Sequence, residues 1–309
     1  MRTIRVGTDC SGIEAPIQAL QNLGIPFTHE FACEIDPYCR QSIEANYSPN
    51  MIFENIKTRD PTQIPPIDLY VCGFPCQSFS SAGDREGLGD PRGTIFMDCV
   101  KAIATILPQC FILENVKGIC SGDGGRTFER IVSELGEIGS GLYNVHVKLL
   151  NTKDYGIPQN RERVYFVGIR KDNPPSTEPF TWPNPVPMTP LVNYVDRDDT
   201  NSTEITYSAL ASGVFNVIPP GSVFIDVGFL KNKFVKSHRW SPTLNAQGNL
   251  WCVPQHRKAN IKELLALQGF PTDFIRAVSE RRLKRQIGNS MSVNVLEAIM
   301  KQIYNIQPG

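Results

Sequence analysis

A single cysteine, Cys76, ends the run Val71-Cys72-Gly73-Phe74-Pro75 and opens the polar stretch Gln77-Ser78-Phe79-Ser80. The apolar residues 69–72 read as a buried strand. Gly73 permits close approach and Pro75 fixes its own backbone angle, so the thiol is expected at a rigid position on the rim of a sheet. Open α/β sheets carry their chemistry at the carboxyl ends of their strands. A thiolate there is a nucleophile; the alternative is a buried structural thiol. Glu114 follows the apolar Phe111-Ile112-Leu113 and so brings a carboxyl to the same edge. Partly desolvated, such a carboxyl holds its proton near neutral pH and can donate a hydrogen bond, although a helix-capping acid would read alike. Arg161 and Arg163 stand two apart, so on an extended segment they face one side and suit phosphates or carboxylates. A solvent-facing edge strand would carry the same pattern. Thr8-Asp9-Cys10-Ser11-Gly12-Ile13-Glu14 lies between a strand and a helix, where backbone amides meet a nucleoside or phosphate. Glu34 stands about 20 residues beyond, the place of an acid that binds ribose hydroxyls.

These groups need a sheet to position them, and the pattern supplies one. Strands are expected at 4–8, 27–35, 51–53, 68–72, 111–115, 144–150 and 164–169, with helices at 15–23, 37–46, 95–106 and 127–138. Asp36-Pro37 is a helix start, with the acid as cap and proline in the first turn. Strand and helix in alternation imply a parallel sheet covered on both faces. The last two strands are joined by 151–163 without a helix and are expected as an antiparallel edge. From Asp172 the texture changes to Asn173-Pro174-Pro175-Ser176, Trp182-Pro183-Asn184-Pro185 and Pro187-Met188-Thr189-Pro190, which spoil helices. Helical character returns at 261–267 and 293–304. The expected division is 1–171 completed by 286–309, with a separate irregular lobe and basic segment at 172–285.

With 309 residues and 41% hydrophobic content the chain can bury a real core. No apolar stretch approaches the roughly 18 residues of a membrane span, and the first residues enter a strand directly, so neither membrane insertion nor a signal peptide is expected. Nine cysteines, odd in number and without a Cys-x-x-Cys pair, point to a reducing compartment and against a structural zinc site. Thirty-one basic and 31 acidic side chains cancel overall. Between Lys231 and Arg285, however, twelve basic residues face three acids, a net of +9 that leaves −9 elsewhere. Such a segment suits an anionic polymer.

Together these pieces resemble the DNA (cytosine-5) methyltransferases. Five blocks match in order: 73–80 around Cys76, Glu114-Asn115-Val116, 159–168 with its glutamine and two arginines, Arg239-Trp240-Ser241-Pro242-Thr243-Leu244, and Gln286-Ile287-Gly288-Asn289-Ser290. The resemblance implies a Rossmann-like S-adenosylmethionine-dependent α/β fold with helices on both faces and a small target-recognition lobe. It implies S-adenosylmethionine as methyl donor and a cytosine flipped out of duplex DNA as acceptor. Cys76 is then the nucleophile, Glu114 the proton donor to ring nitrogen 3, and Arg161 and Arg163 the groups that orient base and thiol. Cys10, Gly12, Ile13, Glu34, Ile35, Asn55, Ile56, Gly73, Ile95, Asn289 and Ser290 are expected around the cofactor. Ser80, Arg92, Gln159, Lys236, Arg239 and Thr243 are expected on DNA, with the glycine-rich 80–94 stretch as a mobile lid.

The chain departs from the family's pattern at five cofactor positions. Cys10 stands where an aromatic packs on adenine, Glu14-Ala15 replaces a glycine pair, Ile35 takes a tryptophan's place, and Asn55 an acid's. Two other readings keep part of this account: methylation of transfer RNA, whose enzymes usually have phenylalanine-threonine after Pro-Cys-Gln-Pro where this chain has Gln77-Ser78-Phe79-Ser80, and a silent DNA-binding homologue. A monomer in the cytoplasm of a prokaryotic or virus-infected cell is expected.

Overall fold

The computed structural model describes residues 2–75, 94–199, 218, 220–227, 239–247 and 250–306. Cys76, Ser80, Arg92 and Lys236 lie outside the described residues, as does nearly all of the expected lid. The chain packs as two compact units. The first comprises Met1–Leu150, Glu162–Asn184 and Leu296–Gly309; the second comprises Asn151–Arg161 and Pro185–Val295.

The first unit is built on a seven-stranded sheet of β1 (Ile4–Asp9), β2 (Phe27–Cys33), β3 (Ile52–Phe53), β4 (Leu69–Cys72), β5 (Cys110–Val116), β6 (Tyr143–Asn151) and β7 (Glu162–Arg170). Their order is β3-β2-β1-β4-β5-β7-β6. The first five run parallel, and β7 enters antiparallel beside β5. Leu69, Tyr70, Val71 and Cys72 are all inaccessible to solvent although they alternate between faces, so helices and loops cover both sides of β4. On one face α3 (Thr94–Ile106) and α4 (Arg126–Glu137) bury Phe96, Cys99, Ile103, Ile131 and Leu135 against Tyr70, Phe111, Leu113 and Phe166. Gly168 is opposite Phe111 across the β5–β7 ladder, and a Cβ there would meet the ring at 2.1 Å. The glycine lets the phenyl ring lie flat over the neighbouring strand. α1 (Ala15–Asn22) and α2 (Pro37–Asn46) link β1 to β2 and β2 to β3. Asp36 caps α2 by accepting from the Tyr38 amide at 2.9 Å, with Pro37 in the first turn as expected.

The strand order reverses between β1 and β4, whose ends are paired at Asp9 and Cys72. This is the switch point at which doubly wound sheets open a crevice at the carboxyl ends of their strands. The turn after β1 and the chain leaving β4 both start there.

The second unit holds a three-stranded antiparallel sheet of β8 (Phe224–Asp226), β9 (Leu250–Cys252) and β10 (Arg257–Lys258), followed by α5 (Ile261–Gln268) and α6 (Glu280–Asn289). α7 (Val293–Ile303) ends the described helices. Asn260 and Glu263 form a capping box at the start of α5, and Gly269 ends it at φ +89. The buried Arg257 guanidinium takes Glu263 with two hydrogen bonds of 2.8 Å. The small sheet and α6 were not expected from the sequence.

Candidate active site

The chain leaving β4 is fixed by a neighbour on β5. Phe74 is buried against Phe96, with ring centroids 5.3 Å apart, and its carbonyl accepts from Asn115 Nδ2 at 2.9 Å. Asn115 Oδ1 in turn accepts from the Val116 amide at 2.8 Å. The buried Asn115 side chain therefore ties the end of β5 to the backbone two residues before Cys76. Glu114, one residue earlier on β5, is buried, and Arg163 Nε lies 3.2 Å from its Oε1. Arg163 also donates to the Glu162 carbonyl at 2.8 Å. Thus the structure brings Glu114 and Arg163 together at the end of β5, beside the end of β4 from which the Cys76 segment departs.

The turn after β1 is built from left-handed residues: Cys10 at φ 49, Gly12 at φ 58 and Glu14 at φ 62. Side chains compensate for the strain that this places on the two non-glycine residues. Ser11 Oγ donates to the Thr8 and Cys33 carbonyls at 3.2 and 3.3 Å. The Gly12 amide donates to Glu34 Oε2 at 2.8 Å, and the Asp36 amide donates to Oε1 at 3.0 Å. Burial pushes the Glu34 carboxyl up, and these two amides oppose the shift. Ile35 beside it is 70% exposed, an uncovered apolar side chain next to a carboxylate. Asn55 Oδ1 accepts from the Lys57 amide at 3.0 Å, closing the turn that carries Ile56. Ile13 is fully buried, and Ile56 and Ile95 pack partly buried against the core, so Ile13 can offer a ligand only its backbone.

One cluster below this turn was missed in the sequence. Arg59 donates to both oxygens of Asp9 at 2.6 Å, and Tyr70 Oη donates to Asp9 Oδ2 at 2.6 Å. The guanidinium stands over the rings of Phe31 and Phe53, 5.0 and 5.3 Å from their centroids. It anchors the 54–60 turn to the end of β1.

The remaining expected residues lie in the second unit and do different work. Arg161 is buried, and its guanidinium donates to the carbonyls of Leu244 at 2.9 Å, Gly288 at 3.2 Å and Ser290 at 2.6 Å. Two of these are carbonyls at the carboxyl end of α6, which a cation satisfies. The sequence placed Arg161 and Arg163 on one side of one strand. In the structure β7 starts at Glu162, and the two arginines bind different partners in different units. Gln159, expected on DNA, is fully buried: its Nε2 donates to Leu267 O and Gln268 Oε1, and its Oε1 accepts from the Leu244 amide. Thr243 donates to the Asn160 carbonyl. Gly288 has the backbone of Asn245 so close that a Cβ would meet its carbonyl oxygen at 2.1 Å, which explains the glycine of the last sequence block. Asn289 and Arg239 are exposed, and the Ser290 carbonyl accepts from Arg161 and Gln268. Among the described residues there is no cluster of metal ligands.

The mixed α/β sheet with its switch point between β1 and β4, and the glutamate at the end of β5, fit a Rossmann-like methyltransferase fold. The chain belongs to the C-5 cytosine-specific DNA methylase family, whose model matches residues 9–305. It is therefore a DNA cytosine-5 methyltransferase, in a family that uses S-adenosylmethionine and a covalent cysteine mechanism. It is 37% identical over 281 residues to the Type II methyltransferase M.NgoBI of Neisseria gonorrhoeae, covering 89% of this chain and 85% of that one. It is 34% identical over 281 residues to M.SsoII of Shigella sonnei, covering 88% and 73%. The fold matches a mutant form of Spodoptera frugiperda DNMT2 with a TM-score of 0.73 at 18% identity, over 98% of this chain and 100% of that one.

Proposed function

We propose that this chain methylates a cytosine flipped out of duplex DNA, with Cys76 as nucleophile and Glu114 as proton donor to ring nitrogen 3. The observation that carries this reading is the edge of β5, where Glu114 pairs with Arg163 and the next residue, Asn115, holds the chain leading to Cys76. Carbon 5 of cytosine is a weak nucleophile. Addition of the Cys76 thiolate to carbon 6 pushes an electron pair into the ring, and a proton from Glu114 meets it at nitrogen 3. Carbon 5 then takes up the methyl group and gives up its proton to water. The electron pair of that bond re-forms the carbon 5–carbon 6 double bond as the carbon–sulfur bond breaks with its own pair on Cys76, and nitrogen 3 returns its proton to Glu114. Arg163 orients Glu114, while Arg161 is a positioning residue that keeps 241–245 and the end of α6 in register.

S-adenosylmethionine, when bound, supplies an electrophilic methyl group on sulfur. The residues present fit it: Glu34 is held by two amides at the end of β2 for ribose hydroxyls, and exposed Ile35 offers an apolar face to a purine. The Gly12 turn and the Asn55–Ile56 turn complete the set in the first unit, with Gly73, Cys10 and Ile95 from the neighbouring elements. Asn289 and Ser290 are assigned to the cofactor from the last sequence block. Ser80 and Arg92 are assigned to DNA, and Lys236 and Arg239 to its phosphates, which position a protein without specifying sequence. The division into a catalytic part, 1–171 with 286–309, and a recognition part, 172–285, belongs to the same reading. Eight described cysteines are free thiols and no described helix is long and apolar enough to cross a membrane, which supports work in a reducing cytoplasm. Action as a monomer belongs to the same reading. Transfer of labelled methyl from S-adenosylmethionine to duplex DNA tests the reading. Activity is expected in the wild type, with loss in Cys76→Ala and a fall of about a hundredfold or more in Glu114→Gln. Labelling of transfer RNA alone would overturn it.

A further inference from the structure

Glu14 is a buried acid that the catalytic reading leaves unused, and it lies directly beneath the turn that carries Cys10 and Gly12. Glu14 is inaccessible to solvent and starts α1 with a left-handed backbone. Its amide donates to the Ser11 carbonyl at 2.9 Å, and its carbonyl accepts from the Gln18 amide at 3.0 Å, so one residue closes the turn and begins the helix. The side chain points inward. Thr8 Oγ1 donates to Glu14 Oε1 at 2.7 Å, and His29 Nε2 lies 3.5 Å from the same oxygen. Thr8 also shares a 2.9 Å hydrogen bond with Ser11, whose hydroxyl reaches β2 at Cys33. A glycine at this position, as the resemblance implied, could make neither side-chain contact, to Thr8 or to His29.

Among the described residues no arginine or lysine pairs with this carboxyl. The titratable groups around it are Asp9 at the end of β1, His29 on β2, Glu34 just beyond β2, and Tyr47 after α2, whose hydroxyl donates to Gln18 of α1 at 3.0 Å. Burial pushes the Glu14 carboxyl up to about 8, against the Thr8 and Ser11 hydroxyls, and the Glu34 and Asp9 charges push the same way. Burial also lowers His29 to about 4. Near pH 7 the acid and the imidazole therefore sit side by side without charge. Ionising the acid would leave a carboxylate in a dry site with no cation, which favours opening of the turn to water.

We propose that Glu14 is a positioning residue for S-adenosylmethionine: its carboxyl, seated between Thr8 and His29, holds the 10–14 turn in the shape that brings the Gly12 amide and the Glu34 carboxylate together at the cofactor. This rests on the reading of that turn as the cofactor site. Uncharged, the carboxyl accepts from Thr8 while the turn stays closed; charged, it drives the turn open and the site loses its frame.

The test is calorimetric binding of S-adenosylmethionine to the full chain at pH 7 and pH 9, in the wild type, Glu14→Gln and Glu34→Ala. The readout is the ratio of the two dissociation constants, and comparison with Glu14→Gln removes the ligand's own titration. The wild-type ratio is expected to exceed that of Glu14→Gln by about tenfold, as for a group that ionises near pH 8 and binds only when neutral. Thermal melts at both pH values confirm that each variant is folded. Equal ratios in the wild type and Glu14→Gln, with binding weakened in Glu34→Ala, would overturn the role of Glu14 alone. Unweakened binding in Glu34→Ala would overturn the cofactor-site reading and the proposal with it.

Discussion

Replacing Arg59 by methionine removes a guanidinium that is almost wholly buried and donates two 2.6 Å hydrogen bonds to a completely buried Asp9. Tyr70 then keeps its 2.6 Å hydrogen bond to that carboxylate, but no cation faces it from Arg59's place. Breaking a buried ion pair from one side costs about 3–5 kcal/mol, chiefly because the other charge is left without compensation. Losing the contacts over Phe31 and Phe53 adds about 1–2 kcal/mol, of which a methionine thioether packed on the same rings recovers about half. We expect Arg59→Met to destabilise the first unit by about 4 kcal/mol in urea unfolding at pH 7. The diagnostic comparison is the double variant Asp9→Asn with Arg59→Met, in which no charge is stranded. It is expected to be more stable than Arg59→Met alone by about 1 kcal/mol or more. A loss below about 1 kcal/mol in Arg59→Met, or a double variant whose loss equals the sum of the singles, would refute the reasoning. Because the Thr58 and Arg59 amides close on the Asn55 carbonyl at 3.2 and 3.0 Å, the same change is expected to weaken cofactor binding.

Arg161→Lys puts one ammonium where a planar fork met three carbonyls, and a loss of about 2–3 kcal/mol in thermal unfolding is expected; a change below about 0.5 kcal/mol would contradict the clamp. Asn115→Ala removes the 2.9 Å hydrogen bond to the Phe74 carbonyl, so kcat is expected to fall by about tenfold to a hundredfold while DNA affinity holds, measured by single-turnover kinetics and filter binding; an unchanged kcat would contradict the tether. Glu14→Gln is expected to raise stability at pH 7 by a margin that grows with pH. The folded carboxyl sits at about 8 against 4.5 for an exposed one, so the wild type loses stability as pH rises from about 4.5 to 8, by up to about 1.4 kcal/mol per unit. His29 acts in the opposite direction at the acid end, losing stability as pH falls from 6.5 toward 4. Melting curves of both proteins between pH 5 and 9 check this, and a margin that does not change with pH would contradict it.

The parallel sheet is legible because its strands are continuous apolar runs between turn signals, as Phe111-Ile112-Leu113 and Leu69-Tyr70-Val71-Cys72 show. The Asp36 cap was legible because capping is local chemistry. β2 stops at Cys33 rather than at Ile35 because the Glu34 carboxyl accepts the Asp36 amide and folds the chain away. The second unit was harder to read. Strands of two or three residues, such as Arg257–Lys258, are too short to show a period. In α6 Leu283 and Ile287 are the apolar positions that are buried, in a sequence otherwise dominated by charge and amides. The proposed site follows the same rule: Cys76, Glu114 and Glu34 were read from expected strand ends, which local sequence marks. Arg59, Asn115 and Arg161 take their roles from partners between 41 and 129 residues away, such as Phe74 and Ser290, and no spacing records that. Glu14 was visible as an odd residue in a glycine's place, but its meaning depends on His29 and Thr8 closing around it.

The central claim is that Cys76 forms a covalent bond to cytosine in DNA. Its most direct test is incubation with S-adenosylmethionine and duplex DNA containing 5-fluorocytosine, followed by denaturing electrophoresis. Fluorine cannot leave carbon 5 as a proton does, so the account predicts a denaturation-resistant protein–DNA adduct that maps to Cys76 and is absent in Cys76→Ala. An adduct that persists in Cys76→Ala, or none on DNA while methyl transfer to DNA proceeds, would contradict it.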